Sequence, residues 1–206
     1  QAIKETVEDN AKIDCKILST EGEVKKLVEE LKTKDRFAVN IYSDKSTILG
    51  IAISYGENYF VKGEFTELLK PLLEDSNCKK VFYDAKHNYY VLKENNITLS
   101  GIDYDVLLAS YVKDPNRSHL IESQALDFLN HIMSEKSEVT SELLVSACAY
   151  ACDEVYSIYN LAEYWEKNLN EQEQKLVKEV EIPLTTVLAK MEYTGVAIDV
   201  SYLKSL

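Results

Sequence analysis

The predicted strands of this chain all lie before residue 105, and this order limits the possible folds more than any other feature. Apolar and β-branched runs predict strands over 37–43, 47–55 and 59–62, and shorter ones over 80–83 and 102–104. From Asp105 onward the sequence is typical of helices. We therefore expect an α/β fold with a mixed five-stranded sheet, helices on both of its faces and a helical C-terminal half.

The segment before the first of these strands predicts a helix and a candidate edge strand. Thr20 with Glu23 three residues later forms a capping-box pattern, which indicates a helix start. Val24, Leu27, Val28 and Leu31 follow at core-facing helical spacing, and Cys15–Leu18 is a candidate short strand. Farther on, Pro71 is expected to interrupt or kink a helix.

Charge and cysteine content limit the function classes. The 206 residues carry a formal net charge of −12, which argues against an autonomous DNA-binding module because phosphate binding needs Lys and Arg. Only four cysteines occur, at 15, 78, 148 and 152, which favours a reducing cytosol over a disulfide-stapled secreted domain. Cys148 and Cys152 lie one helical turn apart; we expect buried thiols there, and a shared metal face is the alternative.

The first strand, Phe37–Tyr42, lacks acidic side chains. Metal-dependent nucleases often carry Asp-x-Glu on such a strand, because two carboxylates on one strand face can hold a pair of divalent cations. Here the two positions hold the amide of Asn40 and the phenol of Tyr42. If the fold is nuclease-like, this pattern predicts that the fold is retained while the nuclease activity is lost.

Three segments resemble the 3′–5′ exonuclease region of bacterial DNA polymerase I, a family A polymerase. Gly101–Tyr111 resembles that domain's G-I-x-F-D-x-x-L-x-x-Y run, and Glu67–Asp75 resembles another of its segments. Between Glu181 and Asp199, the spacing of E-x-P-L, M-E, G-V and I-D resembles the opening of the polymerase domain. The resemblance covers residues 37–206 and implies a ribonuclease H-like exonuclease fold.

The same resemblance implies a domain organisation and partners. It implies a linker over 1–12, an inactive exonuclease-like domain over 13–172 and the start of a polymerase domain over 173–206. Such a fragment would belong to an enzyme of DNA replication and repair in the cytoplasm, associated with the nucleoid. Its partners would be the polymerase domain of the same chain and, through it, DNA. We expect the fragment alone to be a monomer that binds DNA weakly or not at all and contacts no membrane. Because the fingers, the palm and most of the thumb are missing, it would not polymerise DNA.

The resemblance also carries over the exonuclease positions one by one. The family's Asp-x-Glu falls on Asn40 and Tyr42, and its second acid falls on Asn88. Its Tyr-x-x-x-Asp falls on Tyr150 and Glu154, so the tyrosine is retained and the last acid is lengthened. Three of four acidic ligands are thus lost, a pattern that the resemblance associates with Bacillus-type enzymes of this family.

The loss of carboxylates predicts the loss of the metals. Two Mg²⁺ ions about 4 Å apart repel each other and need closely packed, charged oxygen ligands. An amide adds no net charge, and a phenol is neutral near pH 7. We therefore expect neither metal, nor cofactor, nor catalytic residue in this fragment, and a silent structural module in place of an exonuclease. Mg²⁺ is expected in the polymerase domain of the parent enzyme.

The alternative is a residual or altered metal-dependent exonuclease that uses migrated acidic ligands. Asp84 and Asp105 are expected to cap helices, and Asp103 is expected to be solvated. Asp153 and Glu154 are adjacent on a helix, so they point about 100° apart and do not both face one metal easily. A stand-alone exoribonuclease is a third possibility, which the polymerase-like C-terminal run argues against.

The histidines and tyrosines suggest further hypotheses. His87 could act as a general base but is expected to be a partly exposed helix residue, and His119 and His131 are expected at the surface or at helix ends. The 14 tyrosines could stack on bases of single-stranded DNA. Since they lack interleaved basic residues, we expect Tyr42 and its neighbours to fill the former cleft instead.

Overall fold

One mixed sheet separates two layers of helices in the computed structural model, which describes residues 13–136 and 144–205. The predicted linker over 1–12 lies outside the described residues. The strands are β1 (Lys16–Leu18), β2 (Phe37–Asp44), β3 (Thr47–Ser54), β4 (Asn58–Lys62), β5 (Lys80–Phe82) and β6 (Ile102–Asp105). They lie in the order β1-β4-β3-β2-β5-β6. The predicted α/β fold is confirmed, and all five predicted strands are present.

The predicted strand count is wrong by one, because the described part of the chain forms a six-stranded sheet. The candidate strand near residue 15 is β1, which pairs in parallel with β4 through Lys16–Tyr59, Ile17–Phe60 and Leu18–Val61. β2 pairs antiparallel with β3 and parallel with β5. The sheet is therefore mixed, and β2 lies near its centre.

Helices follow the strands as expected. The described α-helices are α1 (Glu21–Leu31), α2 (Thr66–Glu74), α3 (Ala85–Glu94), α4 (Val106–Lys113), α5 (Ile121–Leu129), α6 (Leu144–Asn168), α7 (Glu171–Leu176), α8 (Ile182–Thr194) and α9 (Val200–Ser205). A 3₁₀ turn, Gly63–Phe65, precedes α2, and a π-helical turn, Val177–Glu181, joins α7 to α8. No described helix has both the length and the apolar character that crossing a membrane requires.

Local sequence signals account for the helix ends. Thr20 and Glu23 form the predicted capping box at the start of α1, whose four predicted core residues are buried. Asp84 caps α3, and Asp105 caps α4, as predicted. Pro71 does not interrupt α2, which continues across it to Glu74, so the predicted interruption is wrong and the alternative, a kink, stays a prediction.

The alternation of side chains along β2 divides the core into two layers. Val39 and Ile41 belong to the cluster that contains α1, α2 and α3. Ala38 and Tyr42 belong to the opposite cluster, which contains α6. Because strand side chains alternate between faces, Asn40 shares the α6 face with Tyr42.

A disulfide joins Cys15, just before β1, to Cys152 on α6. The prediction of a buried free thiol is therefore correct for Cys148 and wrong for Cys152. The two half-cystines lie far apart in sequence, and a helical spacing pattern carries no information about such a pairing.

Candidate functional site

A cleft of about 590 Å³ opens where β2 and β5 end, beneath α6. Parallel neighbouring strands end at the same edge of a sheet, and the residues that follow them line the cleft there. Its lining consists of polar and aromatic side chains with one aliphatic residue, namely Asn40, Ile41, Tyr42, Ser43, Lys45, Tyr83, Asp84, His87, Lys136, Tyr150 and Glu154.

Two backbone irregularities shape the mouth of the cleft. The pairing of β2 with β3 shifts register between Tyr42 and Ser43, which bends the strand next to the site. Asp84 has a φ of 60°, in the left-handed region that non-glycine residues seldom occupy. Its side chain accepts a hydrogen bond from the His87 amide at 3.1 Å and so starts α3.

Glu154 is the central acid of the cleft, and neutral donors from β2 hold it. The Asn40 amide nitrogen donates to Glu154 Oε2 at 2.8 Å, and the Tyr42 hydroxyl donates to the same oxygen. Glu154 is only 8% exposed. One carboxylate oxygen is thus occupied by two protein donors on the opposite side of the cleft.

Asn88 braces this arrangement from α3. Its side-chain oxygen accepts from the Ile41 amide at 2.9 Å, and its Nδ2 donates to Asn40 Oδ1 at 3.3 Å. A second bond from Nδ2 reaches the Asp84 carbonyl at 3.1 Å. With 1% exposure, Asn88 is a buried connector between β2 and α3.

Tyr150 lines the cleft but belongs to a different set of contacts. Its hydroxyl donates to Glu122 Oε1 at 2.9 Å, on α5. All five positions singled out from the sequence therefore converge: Asn40, Tyr42, Tyr150 and Glu154 line the cleft, and Asn88 supports Asn40. Their status as degenerate exonuclease positions stays a prediction.

Burial controls the protonation of the cleft. Burial raises the pKa of Glu154, while the bonds from Tyr42 and Asn40 work in the opposite direction. Burial and the neighbouring Glu154 charge raise the pKa of Tyr42 well above its usual value. Burial also raises the pKa of Tyr83 to about 12. The phenols are therefore neutral donors at physiological pH.

The remaining acids have structural contacts. Asp105 is buried and accepts from the amides of Ala85, Leu107 and Leu108, and burial raises its pKa to about 6. Asp103 was expected to be solvated, and that is wrong, because it lies 3.6 Å from Arg36 and is mostly covered. Arg36, directly before β2, also pairs with Glu166 on α6 at 2.7 Å.

Asp153 faces away from the cleft, as the helical angle between neighbours predicts. Its carboxylate lies 2.5 Å from His131 Nε2 and accepts from the backbone and hydroxyl of Ser134. His131 is 8% exposed and directly follows the C-cap of α5, so of the two locations expected for it the helix end is correct and the surface is wrong. These hydrogen bonds fix the segment 131–134 to α6, and Lys136, two residues later, lines the cleft.

Two lysines in the cleft were missed by the sequence reasoning. Lys45 follows β2 in a turn with φ 52°, and Lys136 lowers the pKa of Glu154 through its charge. Neither residue lies in a periodic pattern, so no sequence signal pointed to them. His87 lines the cleft as an exposed helix residue, and His119 is half-buried against Tyr111, with ring centroids 3.5 Å apart.

The tyrosine rings line the cleft and do not fill it, in contrast to the expectation. Tyr42 packs near Phe60, with ring centroids 6.2 Å apart. Gly50 pairs with Tyr42 across the sheet, and a Cβ there would lie 2.1 Å from the Phe60 ring. Tyr42 is thus packed against the sheet, and the cleft beside it remains open.

The donor set does not fit the two metal ions that the fold family implies. The three positions from β2 and α3 offer amides and a phenol, and Glu154 Oε2 already accepts two hydrogen bonds. Nowhere in the described ranges do three His, Cys, Asp or Glu side chains converge as a metal site would require. Hard dications need several charged oxygens in close array, which this cleft does not supply.

Comparisons with known proteins agree on the family. The family model for the DNA polymerase I ribonuclease H-like domain matches residues 38–139. DNA polymerase I of Bacillus subtilis is 32% identical over 162 residues, which cover 72% of this chain and 18% of that protein. DNA polymerase I of Synechocystis is 26% identical over 98% of this chain and 24% of its own length. The chain thus spans about a quarter or less of these relatives.

Solved structures show the same fold. The POL domain of Pol1 from M. smegmatis, in a complex with DNA primer-template and dNTP, has a TM-score of 0.79 at 22% identity. That likeness covers 92% of this chain and 34% of the other. RNase D of Escherichia coli, an exoribonuclease, has a TM-score of 0.69 at 13% identity over 90% of this chain and 52% of its own. The fold is thus ribonuclease H-like, and this chain belongs to the bacterial DNA polymerase I family, of which it carries the exonuclease-like domain region.

Proposed function

We propose that this chain is a catalytically silent, metal-free exonuclease-like domain that serves as a structural module of a DNA polymerase I. The observation that carries the proposal is the state of Glu154, whose Oε2 is held by Asn40 and Tyr42. Where the working site needs a metal bridge between β2 and α6, two neutral side chains make direct hydrogen bonds. The proposed parent acts in replication and repair, in the cytoplasm at the nucleoid.

A structural role also fits the C-terminal surface. Leu184, Val187, Leu188 and Met191 are exposed on α8, and Val196 beyond it is 89% exposed. Exposed apolar surface of this extent marks an interaction face. We assign it to the polymerase domain of the parent, for which residues 173–206 would form the start. DNA contacts are then made through the parent, and the fragment alone is a monomer with weak or no affinity for DNA.

A nuclease assay tests the proposal. A 5′-labelled single-stranded oligonucleotide is incubated with the chain in Mg²⁺ or in Mn²⁺, and we expect no shortening from the 3′ end above background. A matched variant restores the lost acids as Asn40→Asp, Tyr42→Glu, Asn88→Asp and Glu154→Asp. Metal-dependent shortening by the unaltered chain would overturn the proposal, and activity of the restored variant alone would support it.

An altered exonuclease is the second candidate, because the cleft remains open and two carboxylates, Asp84 and Glu154, still line it. This candidate predicts Mn²⁺-dependent cleavage that Glu154→Gln abolishes. Asp84 caps α3 in the described structure, which leaves Glu154 as the main acid of the site.

A further inference from the structure

The Cys15–Cys152 bond is the one covalent tie between the edge of the sheet and α6 in the described part of the chain. Cys15 precedes β1, an edge strand of three residues with pairings to β4 alone. Cys152 lies in the buried middle of α6, which packs across β2, β3 and β4. The bond therefore holds a three-residue edge strand to the longest described helix.

The polar side-chain contacts of β1 are weak, whereas Leu18 and Ile17 pack against the two core clusters. The Lys16–Glu57 ion pair is half exposed on both sides, and such surface pairs contribute little stability. Before Cys15, the carbonyl of Asp14 accepts a hydrogen bond from the Asn58 side chain on β4 at 3.2 Å. Because short edge strands open more easily than central strands, the disulfide adds a tie that keeps β1 in place beside its three pairings with β4.

The surroundings of the bond include another thiol. The Cys15 sulfur lies 3.3 Å from the carbonyl oxygen of Cys148, whose own thiol is free and buried one turn before Cys152. Burial raises the pKa of Cys148 to about 11, which keeps it a poor nucleophile toward the bond. Cys15 is partly exposed and Cys152 is fully buried, so we place the attack of a small thiol at the Cys15 side of the bond.

We propose that Cys15 and Cys152 form a redox-controlled anchor that fixes β1 to α6 when oxidised and releases β1 when reduced. Two molecules of glutathione, a small thiol, reduce the bond. The cystine takes up two electrons and two protons and becomes two cysteine thiols, and the two glutathione molecules leave as glutathione disulfide. Glutathione disulfide closes the anchor by the reverse exchange. This inference concerns the edge of the fold and does not depend on whether the cleft is silent.

The test equilibrates the full chain in glutathione buffers of varied ratio, then traps the thiols with iodoacetamide in denaturant. We expect alkylation at Cys78 and Cys148 in oxidised buffer and at all four cysteines in reduced buffer, with peptide mapping that links Cys15 to Cys152. Hydrogen exchange of the β1 amides should accelerate about tenfold or more on reduction, and the Tm should fall by roughly 5–15 °C.

Variants separate the anchor from general effects of reduction. Cys148→Ser should keep the full redox response. In Cys152→Ser and Cys15→Ser, the β1 amides should exchange in both buffers at the fast rate of the reduced wild type. The Cys15→Ser variant changes a half-buried position, so it serves if Cys152→Ser fails to fold. Four alkylated cysteines in oxidised buffer, a different pairing, or equal β1 exchange in both states would overturn the proposal.

Discussion

Asn40 on β2 donates a hydrogen bond to Glu154 on α6 across 114 residues of sequence, with Nδ2 and Oε2 2.8 Å apart. This contact spans the cleft directly and requires no bridging ion. It supports the packing of the sheet against its covering helix. Both side chains that donate to Glu154, those of Asn40 and Tyr42, are neutral.

Removal of the second donor to Glu154 should destabilise the fold. Tyr42→Phe deletes the hydroxyl that donates to this buried carboxylate, and we expect a loss of about 1–3 kcal/mol in the free energy of unfolding at pH 7. Urea unfolding of the variant and of the wild type measures this difference in unfolding free energy. In a Glu154→Gln background the same substitution should cost less, because the acceptor is no longer charged; equal costs in both backgrounds would contradict the coupling.

Glu154 should make stability depend on pH. Burial raises its folded pKa above the unfolded value, so the folded chain keeps the proton to higher pH. Its contribution is fully present below the unfolded pKa and is lost as the pH rises through the folded pKa. Unfolding free energies measured from pH 4 to pH 7 should decline more steeply in the wild type than in Glu154→Gln, and parallel profiles would refute this assignment.

Asp105 should add a separate acid-range effect. Its pKa is raised to about 6, so stability is lost as the pH rises from about 4 through 6, by roughly 3 kcal/mol at most. Asp105→Asn should remove that component while weakening the bond to the Ala85 amide. Asp103→Asn is the control, because Asp103 lies two residues before Asp105 on β6 and is only partly buried, in an ion pair with Arg36. Identical pH profiles for Asp105→Asn and the wild type would count against the buried acid.

The fold followed from the sequence where the signals are local. The capping box at Thr20 and the cap at Asp84 each depend on residues three positions apart, so pattern reasoning located them. The sequence indicated β1 only as a candidate strand, because three residues are too few to show the alternation of apolar and polar side chains that predicts a strand. The site positions came from a family resemblance, since nothing in the local pattern joins Asn40 to Glu154.

The missed contacts share a physical reason. His131 and Asp153 meet because α5 and α6 pack together, and neither residue lies in a recognisable motif. Lys45 and Lys136 reach the cleft from turns and loops, whose side chains follow no period. Tertiary packing, and not local propensity, places all four.

Lys80 offers a test of the sheet's buried polar contacts. Its ammonium is fully buried and donates to the carbonyls of Leu72 at 2.7 Å and Asp75 at 2.8 Å. Lys80→Met would leave these carbonyls without that donor and should cost roughly 2–4 kcal/mol at pH 7. The neighbouring Lys79→Met, at an exposed lysine, should cost less than about 0.5 kcal/mol.

The same lysine predicts an alkaline effect of known sign. Burial lowers its pKa to about 8, so the unfolded chain binds more protons between pH 8 and pH 10.5. The wild type should therefore gain stability relative to Lys80→Met over that range. Thermal unfolding of both proteins at pH 7.5 and pH 9.5 measures the difference, and a constant gap would show that Lys80 titrates normally.

Mn²⁺ titration followed by electron paramagnetic resonance tests the central claim most directly. The unaltered chain should leave the signal of free Mn²⁺ essentially unchanged at millimolar metal, because Glu154 is engaged by Asn40 and Tyr42. The variant with all four acids restored should quench that signal with two ions per chain. Tight binding of two Mn²⁺ ions by the unaltered chain would contradict the account.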